Sequence, residues 1–279
     1  AFTGGVDEQL DVLRSAAILR ARPDPDARAR PERFVADEQL SAGYMHSGYP
    51  LMCHLDQAEN LVSIANLRQG NWGFFHEVGH NHQHPDWTFD GTGEVTVNLF
   101  TLFAYETVSG VPVRQNERGS AAFVREQLAK VDWDAPDFGR WKSDPFLALA
   151  MYVQLQHAFG WQPFMDVFAA YDRLTDDERP RDDAAKRDQW MTRFARAVGR
   201  DLGAFFEAWG VPTSPEARAA IADLPPWMPA GFPPGYDDPP TPSPTPPGPS
   251  PSPVPTARPT EDPPGRASAI FVPVAHGGG

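Results

Sequence analysis

The sequence is poor in cysteine and in basic residues, and it has no long apolar run. Its single thiol, Cys53, allows no intrachain disulfide in the 279 residues and is interpreted as a small buried apolar side chain. Lys and Arg number 24 against 37 Asp and Glu, a net charge of −13. Nucleic-acid and anionic-membrane binders need a basic surface, so the charge argues against both. No apolar run approaches the ~20 residues of a membrane span, so no transmembrane helix is predicted.

Proline is abundant but unevenly distributed. Almost half of the 31 prolines lie within 233–264. Because each proline fixes φ and removes a backbone donor, this stretch is predicted to form neither helix nor sheet. The sequence therefore divides into a folded domain over 1–232, a disordered Pro/Thr/Ser-rich linker over 233–267 and, at 268–279, the start of a further module. Linkers of this composition are typical of exported multi-module enzymes, which predicts a secreted protein.

The folded domain is predicted to be α+β and mainly helical, with a small strand-containing N-terminal part. Apolar spacing indicates a helix over 5–20, whereas the short, interrupted segments of 31–67 are typical of strands and loops. From Asn71 onward the patterning is almost wholly helical. Ser143 is expected to cap a helix whose first turn contains Pro145. Further helices are predicted at 120–131, 162–174, 183–198 and 201–209, with a last one beginning at Ser214.

The motif HEVGH at 76–80 carries the chemistry. On a helix, His76 and His80 lie only ~40° apart around the axis, so both imidazoles can bind one zinc ion. Glu77 flanks the same point, where a carboxylate can accept a proton from an attacking water without being a ligand. Apolar neighbours bury this helix, which weakens the alternative of an exposed face with two solvated histidines. Gly79 is unfavourable in mid-helix and indicates close approach of another backbone or of substrate, or simply tight packing.

A catalytic zinc site needs a third protein ligand and one open position. The metzincin continuation of the motif is absent, since Gln83 occupies its glycine position and Asp86 its histidine position. Glu94 is the better candidate, because it follows turn residues and begins an apolar helix that could pack against the first. Two alternatives remain. Glu94 could be a first-turn carboxylate that is favoured by the helix dipole and binds no metal. Asp90 could be the third ligand instead, although its position before a glycine more simply indicates a role in shaping the turn.

The sequence resembles the M60-like (enhancin-type) metallopeptidases, whose motif is HExxH followed downstream by a glutamate, in three segments: RPERFVADEQLSAGYMHSGYP, NWGFFHEVGHNHQ and DWTFDGTGEVTVNLF. The resemblance implies a zincin-like fold of the gluzincin type, with His76, His80 and Glu94 as zinc (Zn²⁺) ligands and Glu77 as the general base. It also implies an extracellular peptidase that acts on mucins and other glycoproteins, often with appended carbohydrate-binding modules. The family's strand-rich N-terminal part is largely missing before Ala1, so we expect an N-terminally incomplete domain.

The expected function is that of a secreted, zinc-dependent metalloendopeptidase that hydrolyses peptide bonds in glycosylated, mucin-like proteins. The alternative is a glycan-binding or adhesion module that keeps the fold without turnover, but such a module has no need of Glu77. A helical domain with a chance HExxH motif is a third and weaker interpretation.

Several other residues are candidates that also have a structural interpretation. Stabilisation of an oxyanion needs a donor besides the metal. Four residues could supply it, although each is more simply structural: Tyr44, His46, Tyr152 and His157. Trp87 and Tyr49 could stack on a sugar ring, but filling of an aromatic core is the favoured interpretation.

Overall fold

The computed structural model describes residues 6–22 and 33–232, and these form a mainly helical α+β domain. The first helix, α1, spans Val6–Leu19 and confirms the helix predicted from apolar spacing. The predicted linker over 233–267 and the predicted further module over 268–279 lie outside the described residues.

A small three-stranded sheet follows α1. Its strands are β1 (Phe34–Asp37), β2 (Met45–His46) and β3 (Leu51–His54), in the order β1-β3-β2. β1 pairs parallel with β3, and β2 pairs antiparallel with it, so β2 lies at one edge. Cys53 of β3 is fully buried, and burial raises the pKa of its thiol to about 11. The cysteine is therefore a buried structural residue, as predicted.

Helices make up most of the remaining described residues. The helices predicted beyond residue 120 are present, with small shifts at their ends. The apolar spacing does not predict the short α7, and α2 and α3 lie where the sequence predicts strands and loops. The bounds are α2 Ala58–Val62, α3 Ile64–Gln69, α4 Trp72–His80, α5 Gly93–Thr107, α6 Ala121–Leu128, α7 Phe138–Ser143, α8 Pro145–Phe159, α9 Gln162–Asp172, α10 Asp183–Val198, α11 Gly203–Ala208 and α12 Pro215–Ala219.

The start of α8 corrects one prediction. Ser143 does not cap this helix, because it ends α7, where its hydroxyl donates to the Arg140 carbonyl. The cap is Asp144, whose carboxylate accepts from the Phe146 and Leu147 amides, both at 3.0 Å. A carboxylate satisfies two free donors and also suits the positive end of the helix dipole, so the cap lies one residue later than predicted.

Two apolar helices, α5 and α8, form the centre of the core. Every residue from Val95 to Ala104 of α5 and from Leu147 to Leu155 of α8 is buried. A helix that is apolar on all sides is typical of the interior of a domain. α5 packs against α4, α1 and α8, which fixes its N-terminal turn beside α4. Within the described residues, no helix has the length and apolar character that crossing a membrane requires.

Candidate metal centre

The motif helix α4 begins at the cap residue Asn71 and packs closely on α5. The Asn71 side chain accepts a hydrogen bond from the Phe74 amide at 3.0 Å, which satisfies a free donor at the start of the helix. Gly79 faces α5, where a Cβ would lie 2.9 Å from Phe100 Cβ and 3.0 Å from the Val97 carbonyl oxygen. The predicted close approach at Gly79 is therefore that of a second helix, and it brings the end of α4 against the first turns of α5.

Three donor atoms converge where the two helices meet. Among the described residues, His76, His80 and Glu94 form one group whose ligand atoms all lie within 4.8 Å of one another. Glu94 Oε2 is 3.0 Å from His76 Nε2 and 3.6 Å from His80 Nε2. Ligands bound tetrahedrally to zinc at ~2.0–2.2 Å lie about 3.3 Å apart. The three side chains therefore fit a single zinc ion.

The candidate site is open to solvent on one side. The His76 and His80 side chains are 15% and 19% exposed, whereas Glu94 is 60% exposed. A set of three protein ligands with one accessible side is typical of a catalytic zinc site, since a structural site has four protein ligands.

An amide oxygen faces the second ring nitrogen of each histidine. His76 Nδ1 lies 2.8 Å from Asn98 Oδ1, and His80 Nδ1 lies 2.7 Å from Gln83 Oε1. Neither partner is predicted from the sequence. Asn98 does carry a detectable signal, because it is four residues beyond Glu94 and hence on the same face of α5. Gln83 carries a weaker one, since it lies beyond the end of α4.

Glu77 lies beside the three donor atoms but is not a member of their group. Its side chain is buried, and the Ser47 backbone N–H lies close enough to favour the charged form of its carboxylate. Burial raises the pKa of the Glu77 carboxyl, while the two histidines and the Ser47 amide act in the opposite direction. The sequence expectation of a carboxylate that flanks the site without binding the metal agrees with this position.

The loop between β2 and β3 lies against the C-terminal end of α4. Asn81, the residue after α4, accepts from the Gly48 amide at 2.8 Å and donates to the Gly48 carbonyl at 3.2 Å. The neighbouring Ser47 places its N–H near Glu77, where it lowers the pKa of that carboxyl. One asparagine side chain thus fixes the loop that lies beside the buried carboxylate.

Asp90, the rival third ligand, lies outside the donor group. Its carboxylate forms an ion pair with Lys142, with 2.5 Å between Oδ2 and Nζ, and this contact lowers the pKa of Asp90. Gly91 beside it has a φ of +86° and packs so closely on Lys142 that a side chain there would clash. The turn interpretation of Asp90 therefore fits the structure better than the ligand interpretation.

Three of the secondary candidates are core residues. Tyr152 is fully buried beside the Trp190 ring, and burial raises the pKa of its hydroxyl. His157 is also buried, with its Nε2 2.7 Å from the Gly119 carbonyl oxygen. Trp87 is 1% exposed and cannot offer a ring face to a sugar. The structural interpretation is the correct one for all three.

The remaining candidates lie on or near the edge strand. His46 Nε2 is 2.9 Å from the Ser41 hydroxyl. Tyr44 stacks on His54 and is half exposed. Tyr49 is 44% exposed and follows Gly48 in the loop that contacts α4. Of the sequence candidates for contact with substrate, these three are the accessible ones.

Comparison with protein families and curated relatives agrees with this geometry. The family model described as peptidase M60, enhancin and enhancin-like, matches residues 2–210. TRPM8 channel-associated factor 2 from Bos taurus is 42% identical over 221 residues, which cover 78% of this chain and 23% of that protein. The chain thus spans about a quarter of the length of this relative.

Solved structures share the fold. A functionally unknown conserved protein from Bacillus anthracis superposes with a TM-score of 0.68 at 24% identity, covering 80% of this chain and 46% of the other. IMPa from Pseudomonas aeruginosa, solved in complex with an O-glycopeptide, has a TM-score of 0.53 at 19% identity, covering 80% of this chain and 31% of the other. At these identities the likeness establishes the fold alone.

Proposed function

The chain belongs to the peptidase M60, enhancin and enhancin-like family, and from this we propose that it is a zinc-dependent endopeptidase that cleaves glycosylated, mucin-like proteins. The observation that carries the proposal is the convergence of His76, His80 and Glu94 beside the buried carboxylate of Glu77. Two imidazoles and a carboxylate are a ligand set that zinc peptidases use.

The catalytic roles follow from these positions. His76, His80 and Glu94 hold the metal. Zinc, when bound, acts as a Lewis acid on the scissile carbonyl and makes water more acidic. Glu77 accepts the proton of the attacking water and passes it to the leaving amine. The Ser47 N–H near the Glu77 carboxylate favours its charged form, which is the form that can accept a proton from the reacting water.

The sheet edge supports a peptide substrate. β2 is one of the two edge strands of the sheet, pairs with β3 on one side and packs on α4. Backbone groups at such an edge can bind an extended peptide by strand addition. The bound peptide would lie next to the helix that carries the histidines, where a scissile bond must be held.

The glycoprotein part of the proposal is supported by the complex of IMPa, a protein of similar fold, with an O-glycopeptide. Such substrates are found outside cells, so we also propose that the protein is secreted. The Pro/Thr/Ser-rich composition of 233–267 is in keeping with a linker to an appended carbohydrate-binding module.

A binding module without turnover is the second candidate. It is favoured by the relative of 42% identity, whose name describes a channel-associated factor and not a peptidase. The buried Glu77 beside the three donor atoms favours the enzyme, since binding alone does not need a general base beside a metal site.

The test is cleavage of a mucin-type O-glycoprotein by the zinc-loaded protein, followed by mass spectrometry of the fragments. The same substrate after enzymatic deglycosylation is the matched control, and a chelator is added in a parallel arm. We expect chelator-sensitive fragments from the glycosylated form alone. Cleavage of both forms would refute the glycan requirement. Glycoprotein binding that survives zinc removal, without fragments, would establish the binding module instead.

A further inference from the structure

Two side-chain amides join the metal-binding histidines to the first turns of α5. The first is Gln83, whose Nε2 donates to the Gly93 carbonyl at 2.8 Å and to the Thr96 hydroxyl oxygen at 2.7 Å. Its Oε1 lies 2.7 Å from His80 Nδ1. The side chain therefore connects one histidine of α4 with the turn from which Glu94 projects.

The second amide belongs to Asn98. Its Nδ2 donates to the Glu94 backbone carbonyl at 2.7 Å, and its Oδ1 lies 2.8 Å from His76 Nδ1. Asn98 is buried, so neither group has a ready alternative partner in water. Each histidine is thus joined by one amide to the backbone around Glu94.

The orientation of both amides is determined by their far ends. A carbonyl oxygen only accepts, so the NH₂ group must face Gly93 in one case and the Glu94 backbone in the other. The Thr96 hydroxyl gives its one proton to the Thr92 carbonyl and so must accept from Gln83. Reversing either amide would set two oxygens against each other.

The histidine tautomers follow from these orientations. Amide oxygens cannot donate, so the atoms facing them, Nδ1 of His76 and Nδ1 of His80, must carry the protons. A neutral imidazole protonated on Nδ1 has its lone pair on Nε2. Nε2 is the atom that each ring turns toward the Glu94 carboxylate.

We propose that Gln83 and Asn98 are positioning residues, which lock His80 and His76 with Nδ1 protonated and present both Nε2 atoms to the metal together with Glu94. This inference rests on the metal site of the proposed function. Because the same amides bind the backbone around Glu94, they set the position of the third ligand relative to the other two. Partners of this kind typically contribute ~10–100-fold to metal affinity.

The test is zinc affinity, measured by chelator competition on the purified chain. Gln83→Met and Asn98→Leu keep side-chain size but remove the acceptor, so we expect each to weaken zinc binding by ~10–100-fold. Gln83→Glu and Asn98→Asp keep an acceptor oxygen at each Nδ1 but set a second oxygen against the Gly93 or Glu94 carbonyl, so we expect them to recover only part of that loss. The matched control is Gln162→Met, since the Gln162 amide bonds the exposed Asp166 and should not influence affinity.

The outcomes separate this inference from the proposed function. Absence of zinc binding by the unmodified chain would refute the metal site itself. Zinc bound by the chain and equally well by folded Gln83→Met and Asn98→Leu would refute the positioning role alone. The melting temperatures of the zinc-free variants are measured as well. If they stay near the wild-type value while zinc binding is weakened, the weaker binding is not due to a general loss of stability.

A measurement on the unmodified chain keeps the proposal testable even if the variants fail to fold. In the zinc-loaded protein, ¹⁵N NMR of the imidazoles reports which ring nitrogen binds the metal. We expect His76 and His80 both to bind through Nε2, with protonated, hydrogen-bonded Nδ1 atoms. Coordination through Nδ1 of either ring would overturn the inference.

Discussion

Gly79 of α4 lies against the backbone of Val97 in α5, so closely that a Cβ at position 79 would be 3.0 Å from the Val97 carbonyl oxygen and 2.9 Å from Phe100 Cβ. His80 follows Gly79 directly, and Glu94 lies one turn before Val97. The distance between His80 and Glu94 thus depends on the absence of a side chain at position 79, where α4 crosses α5.

We therefore expect Gly79→Ala to damage both stability and the metal site. Overpacking of this kind typically costs about 1–3 kcal/mol of unfolding free energy, and separation of the helices would also weaken zinc binding. The matched control is Gly93→Ala, because no atom lies within 4 Å of a Cβ there. Denaturant unfolding should show unchanged or higher stability for Gly93→Ala. Equal stability of both variants would contradict the tight crossing.

The loop contact at Asn81 should matter for turnover and not for metal binding. Asn81→Ala removes both bonds to Gly48 and loosens the loop that places the Ser47 N–H near Glu77. Small displacements of reacting groups can cost up to ~10²-fold in rate, so we expect kcat to fall toward that extent while zinc content stays at the wild-type level. Ser47→Ala is the control, since it keeps the backbone N–H.

The outcome that contradicts this role of Asn81 is a variant that retains wild-type kcat. An equal loss of kcat in Ser47→Ala would mean that the Ser47 side chain, and not the N–H, acts on Glu77.

An ion pair between buried Arg20 and the more exposed Asp172 lies beside the segment that follows the metal helix. Arg20 is 2% exposed, binds the Asp172 carboxylate with two guanidinium nitrogens and donates to the His82 carbonyl at 3.0 Å. Asp172→Ala leaves this cation without its carboxylate partner, so we expect a loss of about 1–3 kcal/mol in unfolding free energy. Asp223→Ala removes a similar pair with Arg196 on the exposed surface and should have little effect.

Thermal or denaturant unfolding of the two aspartate variants, measured side by side, checks this expectation. A similar change in unfolding free energy in both variants would mean that the burial of Arg20 does not make its ion pair more important for stability than the Arg196–Asp223 pair.

The sequence predicts the parts of the site that depend on local spacing. His76 and His80 are one helical turn apart, so a helix alone brings them together, and the apolar pattern predicts that helix. Glu94 cannot be placed by helical spacing alone, since its distance from the two histidines depends on the packing of α5 against α4. Its candidacy followed from the turn before it, the apolar face after it and the resemblance to a known family.

The features that the sequence could not supply depend on contacts between distant segments. From the sequence, Gln83 is notable only as a departure from the metzincin pattern, because its hydrogen-bond partners lie on α5. Nothing local shows that the Ser47 amide lies near Glu77. Tyr152 is a candidate that the structure excludes. Its hydroxyl is a possible oxyanion donor in the sequence, and only the burial of α8 shows that substrate cannot reach it.

The two carboxylates of the site are predicted to behave differently when neutralised. Glu77→Gln keeps size and hydrogen bonding but cannot accept a proton, so zinc content and fold should persist while the rate falls by ~10²–10⁴-fold, the scale of lost general-base catalysis. Glu94→Gln replaces a ligand by a neutral amide, so zinc affinity itself should fall. Excess zinc should then restore part of the activity of Glu94→Gln and none of that of Glu77→Gln.

The most direct test of the metal site and its base is the zinc content of the unmodified chain, Glu77→Gln and Glu94→Gln, measured beside the rate of glycopeptide cleavage. We expect about one zinc per chain in the first two, a depleted third, and cleavage by the unmodified chain alone at limiting zinc. A Glu77→Gln variant that loses its zinc, beside a Glu94→Gln variant that keeps both zinc and activity, would contradict the roles assigned to these carboxylates.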